Sequence, residues 1–191
     1  MDFPRDGRPR LPPGQVATTK FPVMTAGTPR TASTENWTLT LDGQVANPVT
    51  LDWSAFLKLP TVEFRTDIHC VTRWSKLDTV WRGVTIDTLV DLVRPEPEAR
   101  FVLARADGDY TANLHLKDLT GGQAIVATHF GGAPLEASHG GPTRLVAPRL
   151  YFWKSAKWLR GLHFSQFDYK GYWEKLGYHN YGDPWLEQRH R

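Results

Sequence analysis

The chain has 191 residues, a formal net charge of +3 and a single cysteine. That length accommodates one domain burying roughly 70% of the surface its unfolded chain exposes, and one cysteine excludes an intramolecular disulfide. The 23 Lys and Arg residues form no long basic run, and no nucleic-acid motif, P-loop or G-x-G-x-x-G is present, so nucleic-acid and nucleotide binding are not expected.

No run of about 18 apolar residues appears, so no membrane span is expected. The opening "MDFPRDGRPRLPPGQVATTK" carries charge and proline where a signal peptide needs an apolar stretch, and a cytoplasmic location is expected. Residues 1–36 are rich in Pro, Gly, Thr and Arg and show no period, which predicts an extended arm lying on the body. Residues 1–20 are assigned to the arm proper and residues 21–191 to a single domain.

"WTLTLDG" alternates and ends at Asp42-Gly43, a strand and a turn. "LDWSAFLKLP" predicts a short helix capped by Asp52 and stopped before Pro60. In "TVEFRTDIHC", Val62, Phe64, Thr66 and Ile68 share one face, and Glu63, Arg65, Asp67 and His69 the other. This is a strand with one buried face, and Cys70 falls at its end. "WRGVTIDTLVDLV" predicts a turn and then a helix, with Asp87 as candidate cap and Ile86, Leu89, Val90 and Val93 on the core side.

The second half is richer in strands. "RFVLARADGDYTANLHL" has a hairpin pattern around Asp107-Gly108. "LKDLTGG" predicts a helical turn, "AIVATHFGGAPL" a strand and turn, "TRLVAP" a short strand, and "YFWKSAKWL" one helical turn leading into the strand "GLHFSQF". Short strands, long loops and few short helices give an α+β fold class with mixed sheets. Several of the eight Trp lie in the C-terminal third beside Lys, Gly and His, which suggests a rigid pocket wall, although core packing is the ordinary role of any single Trp.

The lone thiol sits in "DIHCVTRWSK". His69, Arg73 and Lys76 beside it favour thiolate over thiol, whereas an isolated free cysteine is commonly a small buried hydrophobe. A Cys-nucleophile hydrolase with a histidine base is one alternative, but the spacing of the seven His selects no partner. A zinc site has no CxxC or HxxxH spacing to support it.

"DIHCVTRWSKLDTVWRGV", "HGGPTRLVAPRLYFWKSAKWLRGLHF" and "GYHNYGDPW", in this order, resemble the molybdopterin-binding domain of the sulfite oxidase family. The similarity is greatest to its small bacterial members, which lack haem and dimerisation domains. It runs from about Phe21 to Trp185. It implies the sulfite oxidase-type fold and a molybdopterin cofactor with molybdenum (Mo-MPT), without haem, with Cys70 as the protein's ligand to the metal. A soft thiolate suits a metal already held by sulfur.

The resemblance further implies cofactor contacts at His69, Cys70, His139 and Arg144, and at Phe21, Pro22, Val23 and Met24 of the arm. Another falls at Asp107. The K-S-A-K block matches a phosphate-binding stretch, in which Ser155, Ala156 and Lys157 supply backbone N–H groups and an ammonium. Gly140 and Gly141 are expected to let the backbone approach the ligand. The implied activity is oxygen-atom transfer to or from a small sulfur or nitrogen oxide.

Arg73 and Lys76 are candidates for holding an anionic substrate, and Tyr110 and His115 are weaker candidates because they follow a turn that could face the metal. The run "VTRWSK" differs from that of animal and plant sulfite oxidases, so the resemblance does not fix the substrate. Electrons must pass through an external carrier, because no haem-attachment or iron–sulfur cysteines are present. A monomer is expected. The second reading is a non-catalytic molybdopterin-binding module that docks a partner.

Overall fold

The computed structural model describes residues 7–28 and 33–190; residues 1–6 and 29–32 of the expected arm lie outside that set. Two mixed sheets and three short helices form the α+β architecture. The first sheet contains β1 (Val16–Ala17), β4 (Val62–His69), β5 (Trp74–Thr85), β8 (Ile125–Phe130), β9 (Ala133–Pro134) and β10 (Arg144–Val146). The second runs β3 (Val49–Asp52), β2 (Thr38–Gly43), β11 (Leu159–Ser165), β6 (Phe101–Ala106), β7 (Thr111–His115). The helices are α1 (Trp53–Leu57), α2 (Ile86–Val93) and α3 (Tyr172–Lys175). Among the described residues, no helix is long and apolar enough to cross a membrane.

Alternation along β4 does what its period predicts except at the end, where the register shifts between Thr66 and Ile68 and His69, expected on the outward face, is buried. Phe64 and Ile68 are fully buried, while Glu63 and Arg65 face solvent. The buried row joins Trp81, Ile125, Val146 and Phe152 in a small core on the first sheet. A larger core lies under the second sheet and holds Leu39, Leu41, Val102, Leu162 and Phe164 together with α2. Each such side chain, fully buried, contributes about 1.5–3 kcal/mol of transfer free energy.

The predicted Asp52 cap forms, its carboxylate accepting from the Ala55 N–H at 2.7 Å. The hairpin at Asp107-Gly108 forms between β6 and β7, with Gly108 at φ 75°. The segment before α2 differs from expectation. "WRGVT" is the end of the long strand β5 and not a turn, and the α2 cap is Thr85, whose hydroxyl accepts from the Thr88 N–H at 3.1 Å. Gly83 suggested a break, but its role is close packing: a Cβ there would lie 2.1 Å from the Val126 carbonyl oxygen of β8. Asp87 instead ties a distant loop to the helix, accepting from the N–H groups of Gly121 and Gly122 at 2.7 and 2.8 Å.

The arm lies on the body as an extended strap. Its β1 pairs in parallel with the start of β5. Arg8 pairs with Asp183 at 2.9 Å, and Arg10 with Asp67 at 2.6 Å. These contacts bring both ends of the described chain to the turn between β4 and β5.

Candidate active site

Cys70 occupies the tip of the β4–β5 hairpin. Its N–H donates to the Trp74 carbonyl at 2.8 Å, and its own carbonyl accepts from the Arg73 N–H at 3.1 Å. Closing this turn puts Arg73 in the left-handed region at φ 72°. Two distant segments clamp the loop. Gln15 of the arm donates its side-chain N–H to the Cys70 carbonyl at 3.0 Å, and Arg189 donates to the Val71 carbonyl. The Cys70 sulfur lies 3.1 Å from the Thr72 hydroxyl oxygen.

The sulfur faces a cavity of about 220 Å³. Five chain segments wall it: the arm, the Cys70 turn, Tyr110, the stretch from His139 to Arg144, and the aromatic C-terminal third. Phe21, Pro22 and Met24 contribute from the arm. The Phe21 ring stacks on the His139 imidazole at 4.0 Å, and the Phe21 carbonyl accepts from His139 Nε2 at 3.2 Å. Burial, with Lys157 and Arg144 nearby, holds His139 below the usual imidazole range, so it is neutral at pH 7.

Arg144 is 1% exposed. Its guanidinium donates to the carbonyls of His139 and Ser155, both at 2.8 Å, and lies over the Phe152 ring at 4.1 Å. Burial lowers its pKa to about 9. Lys157 donates to the Ser138 carbonyl at 2.7 Å. Burial, and then the Arg144 charge, lowers it to about 7. Among the described residues, neither cation has a carboxylate partner. A fully buried guanidinium and a partly buried ammonium on one cavity wall, both bonded to carbonyls, are poised to receive an anion.

Eight expected site residues converge on this cavity besides Cys70: Phe21, Pro22, Met24, Tyr110, His139, Arg144, Ser155 and Lys157. The rest point elsewhere. Val23 is exposed and does not line it. His69 is buried on the far side of the hairpin, bonded to the Ser75 hydroxyl at 2.8 Å and set edge-on to Trp185. Desolvation lowers its pKa to about 4, so it brings no positive charge to the sulfur. Arg73 is exposed and its guanidinium faces Gly14; Lys76 donates to the Thr19 carbonyl of the arm. Neither lines the cavity, because the hairpin turn carries both side chains away from it.

Asp107 is taken by Arg160 at 2.9 Å, and His115 packs between Phe101 and Tyr181. Ala156 is buried in the main core, and the N–H groups of Ser155 and Ala156 are spent on the Phe152 and Lys154 carbonyls. What this block offers the cavity is therefore the Lys157 ammonium and the Ser155 wall. Gly140 serves Lys157, since a Cβ there would lie 2.8 Å from Lys157 Cβ; Gly141 makes room for the Leu135 carbonyl. The Tyr110 hydroxyl donates to the Trp153 carbonyl. Burial, followed by the Glu174 charge, pushes its pKa well above the ordinary phenol range, so it holds structure and does not move a proton.

The walls that sequence reasoning left unnamed include Thr72, Trp74, Trp153, Trp158, Trp173 and Tyr178. The Trp enrichment beside Lys and Gly was their one visible signal. Trp153 is held at a buried ion pair, Lys154–Glu174 at 2.7 Å, its Nε1 donating to the same carboxylate at 2.7 Å. Lys154 further donates to the Asn113 and Asn180 carbonyls at 2.9 and 2.7 Å.

A family model described as the oxidoreductase molybdopterin binding domain matches residues 25–173. A protein of Bacillus subtilis (strain 168) named "Uncharacterized oxidoreductase YuiH" is 42% identical over 181 residues, covering 94% of this chain and 91% of its own. The protein-methionine-sulfoxide reductase catalytic subunit MsrP of Campylobacter jejuni is 26% identical over 167 residues, covering 78% of this chain and 56% of its own. The chain thus spans little more than half of that subunit. The crystal structure of the sulfane dehydrogenase SoxCD from Paracoccus pantotrophus matches with a TM-score of 0.65 at 18% identity, over 71% of this chain and 40% of that one. That likeness shows the fold.

The cavity fits the cofactor. Cys70 offers the cavity one soft sulfur ligand, which suits a molybdenum already held by dithiolene sulfur. Aromatic walls suit a flat ring system, and Arg144 and Lys157 suit its phosphate. The chain belongs to the oxidoreductase molybdopterin-binding domain family, of sulfite oxidase type, and is a molybdopterin-dependent oxidoreductase.

Proposed function

We propose that this oxidoreductase removes the oxygen atom from a small neutral sulfoxide or N-oxide, with Cys70 as the protein's ligand to molybdenum and an external redox protein as electron donor. The observation that carries this reading is the single thiol opening onto a cavity whose two cations, Arg144 and Lys157, have no acid partner among the described residues. When bound, the cofactor supplies a two-electron centre able to exchange an oxygen atom with substrate.

The chain's own residues would do the rest. Cys70 offers a soft thiolate, and the Thr72 hydroxyl is near enough to donate to it. Arg144 and Lys157 hold the anionic end of the cofactor. Phe21 and neutral His139 close one wall as a stacked pair, which keeps the arm over the site and excludes water. Substrate entering past Met24, Pro22 and the Trp walls meets apolar surface. Arg73 and Lys76 turn away, so the free cationic groups that an anion such as sulfite requires are lacking there, and a neutral oxide is favoured. The name of the MsrP relatives, sulfoxide reductase catalytic subunits, supports the same direction.

The test is dye-linked turnover of the molybdenum-loaded protein. Methionine sulfoxide and trimethylamine N-oxide should be reduced with reduced viologen as donor, and sulfite oxidation should be at least tenfold slower. Sulfite oxidation faster than reduction of any oxide would overturn the substrate assignment. Full cofactor occupancy with no turnover of either class would favour a non-catalytic docking module.

A further inference from the structure

The stretch after β11 presents an apolar, positively charged surface that the activity above leaves unexplained. Phe167 is 58% exposed, Tyr169 50% and Leu176 62%. Such a cluster of large exposed apolar groups in one short segment marks an interaction surface. Lys170 and Lys175 are exposed among them. The two acids of the same segment turn inward: Asp168 accepts from Asn113 and Asn180 at 2.7 and 2.6 Å, and Glu174 is buried on Lys154. Among the charged groups of this segment, the fully exposed ones are therefore its lysines.

This face reaches the cavity through touching rings. Tyr172, partly exposed, has its centroid 5.6 Å from Tyr110 and 5.2 Å from Trp173. Trp173 lies 4.7 Å from Tyr178. Tyr110, Trp173 and Tyr178 all line the cavity onto which Cys70 opens.

Given the oxide reduction proposed above, we infer that this face, centred on Phe167, Tyr169, Lys170 and Lys175, docks the electron carrier, and that the carrier is a soluble redox protein with an acidic rim around an apolar contact. Acidic groups pair with Lys170 and Lys175, while Phe167, Tyr169 and Leu176 fill the contact centre. A second copy of this chain fits worse. A two-fold interface sets the same patch against itself, which brings lysine against lysine. Each turnover draws two electrons across the face, from two reduced one-electron carriers that leave oxidised. With two protons they break the substrate's S–O or N–O bond and release its oxygen as water.

The experiment uses the molybdenum-loaded protein, methionine sulfoxide, and two donors: reduced viologen, and a reduced acidic [2Fe–2S] ferredoxin as probe. Wild type should turn over with both, and the ferredoxin rate should fall as salt rises. Lys170→Glu combined with Lys175→Glu should lower the ferredoxin rate about tenfold or more through lost steering, and Phe167→Ser should lower it further. Viologen turnover should be unchanged in every variant. A ferredoxin rate that is independent of salt and of these substitutions overturns the inference, as does a viologen-active wild type that accepts nothing from ferredoxin. Sedimentation of wild type as a dimer that the substitutions dissociate also overturns it, in favour of a second copy. Loss of viologen turnover in wild type would instead sink the oxide-reduction reading.

Discussion

The Thr72 hydroxyl oxygen sits 3.1 Å from the Cys70 sulfur, two residues along the same turn. The left-handed Arg73 that closes the turn keeps Thr72 on the cavity side. A hydroxyl donating to a metal-bound thiolate withdraws electron density from it and raises the metal's potential. Thr72→Val should therefore lower the one-electron potentials, by at most the roughly 65–130 mV equivalent to the about 1.5–3 kcal/mol of one hydrogen bond to a charged group. Thr72→Ser should restore it. Redox titration of the molybdenum EPR signal reads the shift, and an unchanged potential in Thr72→Val would show that the hydroxyl does not serve the sulfur.

Cys70→Ser should reduce turnover to background with the fold intact. The substituted side chain is nearly isosteric and the site is 7% exposed, so the melting temperature should stay within a few degrees. Serine offers a hard hydroxyl where the proposed role needs a soft thiolate. Near-normal turnover with bound molybdenum would remove Cys70 from its proposed role.

Arg144→Gln and Lys157→Gln should both weaken cofactor retention, each by roughly tenfold or more, since a hydrogen bond to a charged group contributes about 1.5–3 kcal/mol. Their effects on the cofactor-free protein should differ. Arg144 holds the His139 and Ser155 carbonyls together, so its loss destabilises. Lys157 carries a desolvated charge with no acid partner, so its replacement should be neutral or stabilising. Molybdenum content after dialysis and thermal melts of the apoprotein check the two halves separately.

Lys157 also sets a pH dependence. Its folded pKa, about 7, lies below the ordinary lysine value of 10.5. Between those two values the unfolded chain binds the extra proton, so this residue's contribution to apoprotein stability improves as pH rises from about 7 to 10.5 and is flat below 7. Cofactor binding has the opposite sense. A phosphate favours the ammonium, so binding above pH 7 takes up a proton and affinity falls as pH rises. Retention measured from pH 7 to 9.5 should decline in wild type and lose much of that decline in Lys157→Gln.

Lys154→Met breaks a buried ion pair whose members are 0% and 1% exposed. Leaving the Glu174 charge without its ammonium should cost about 3–5 kcal/mol, or roughly 6–20 °C in melting temperature for a chain of this size. Trp153 shares the same carboxylate, so its fluorescence should shift as the cavity wall loosens. A melt within a degree or two of wild type would show that the pair is replaceable.

Alternation along Val62–His69, the Asp52 cap and the Asp107-Gly108 hairpin were legible in the sequence because each depends on residues within a few positions of one another. The order of motifs from Cys70 through Arg144 to Lys157 was legible for a related reason: each motif is local, and their succession identifies the family. Tertiary structure alone decided which side chains meet. Arg73 and Lys76 lie close to Cys70 in the chain yet face the arm, because a hairpin turn reverses direction within four residues. In K-S-A-K, Lys154 enters the core to meet Glu174, while Lys157, three residues on, reaches the cavity. No period separates a buried lysine from a ligand-facing one when the acid that selects between them comes from α3. Phe21, Thr72, Trp173 and Tyr178 converge from across the chain for the same reason: the packing of two sheets and a crossing arm sets their distances, and chain neighbours carry no record of that packing.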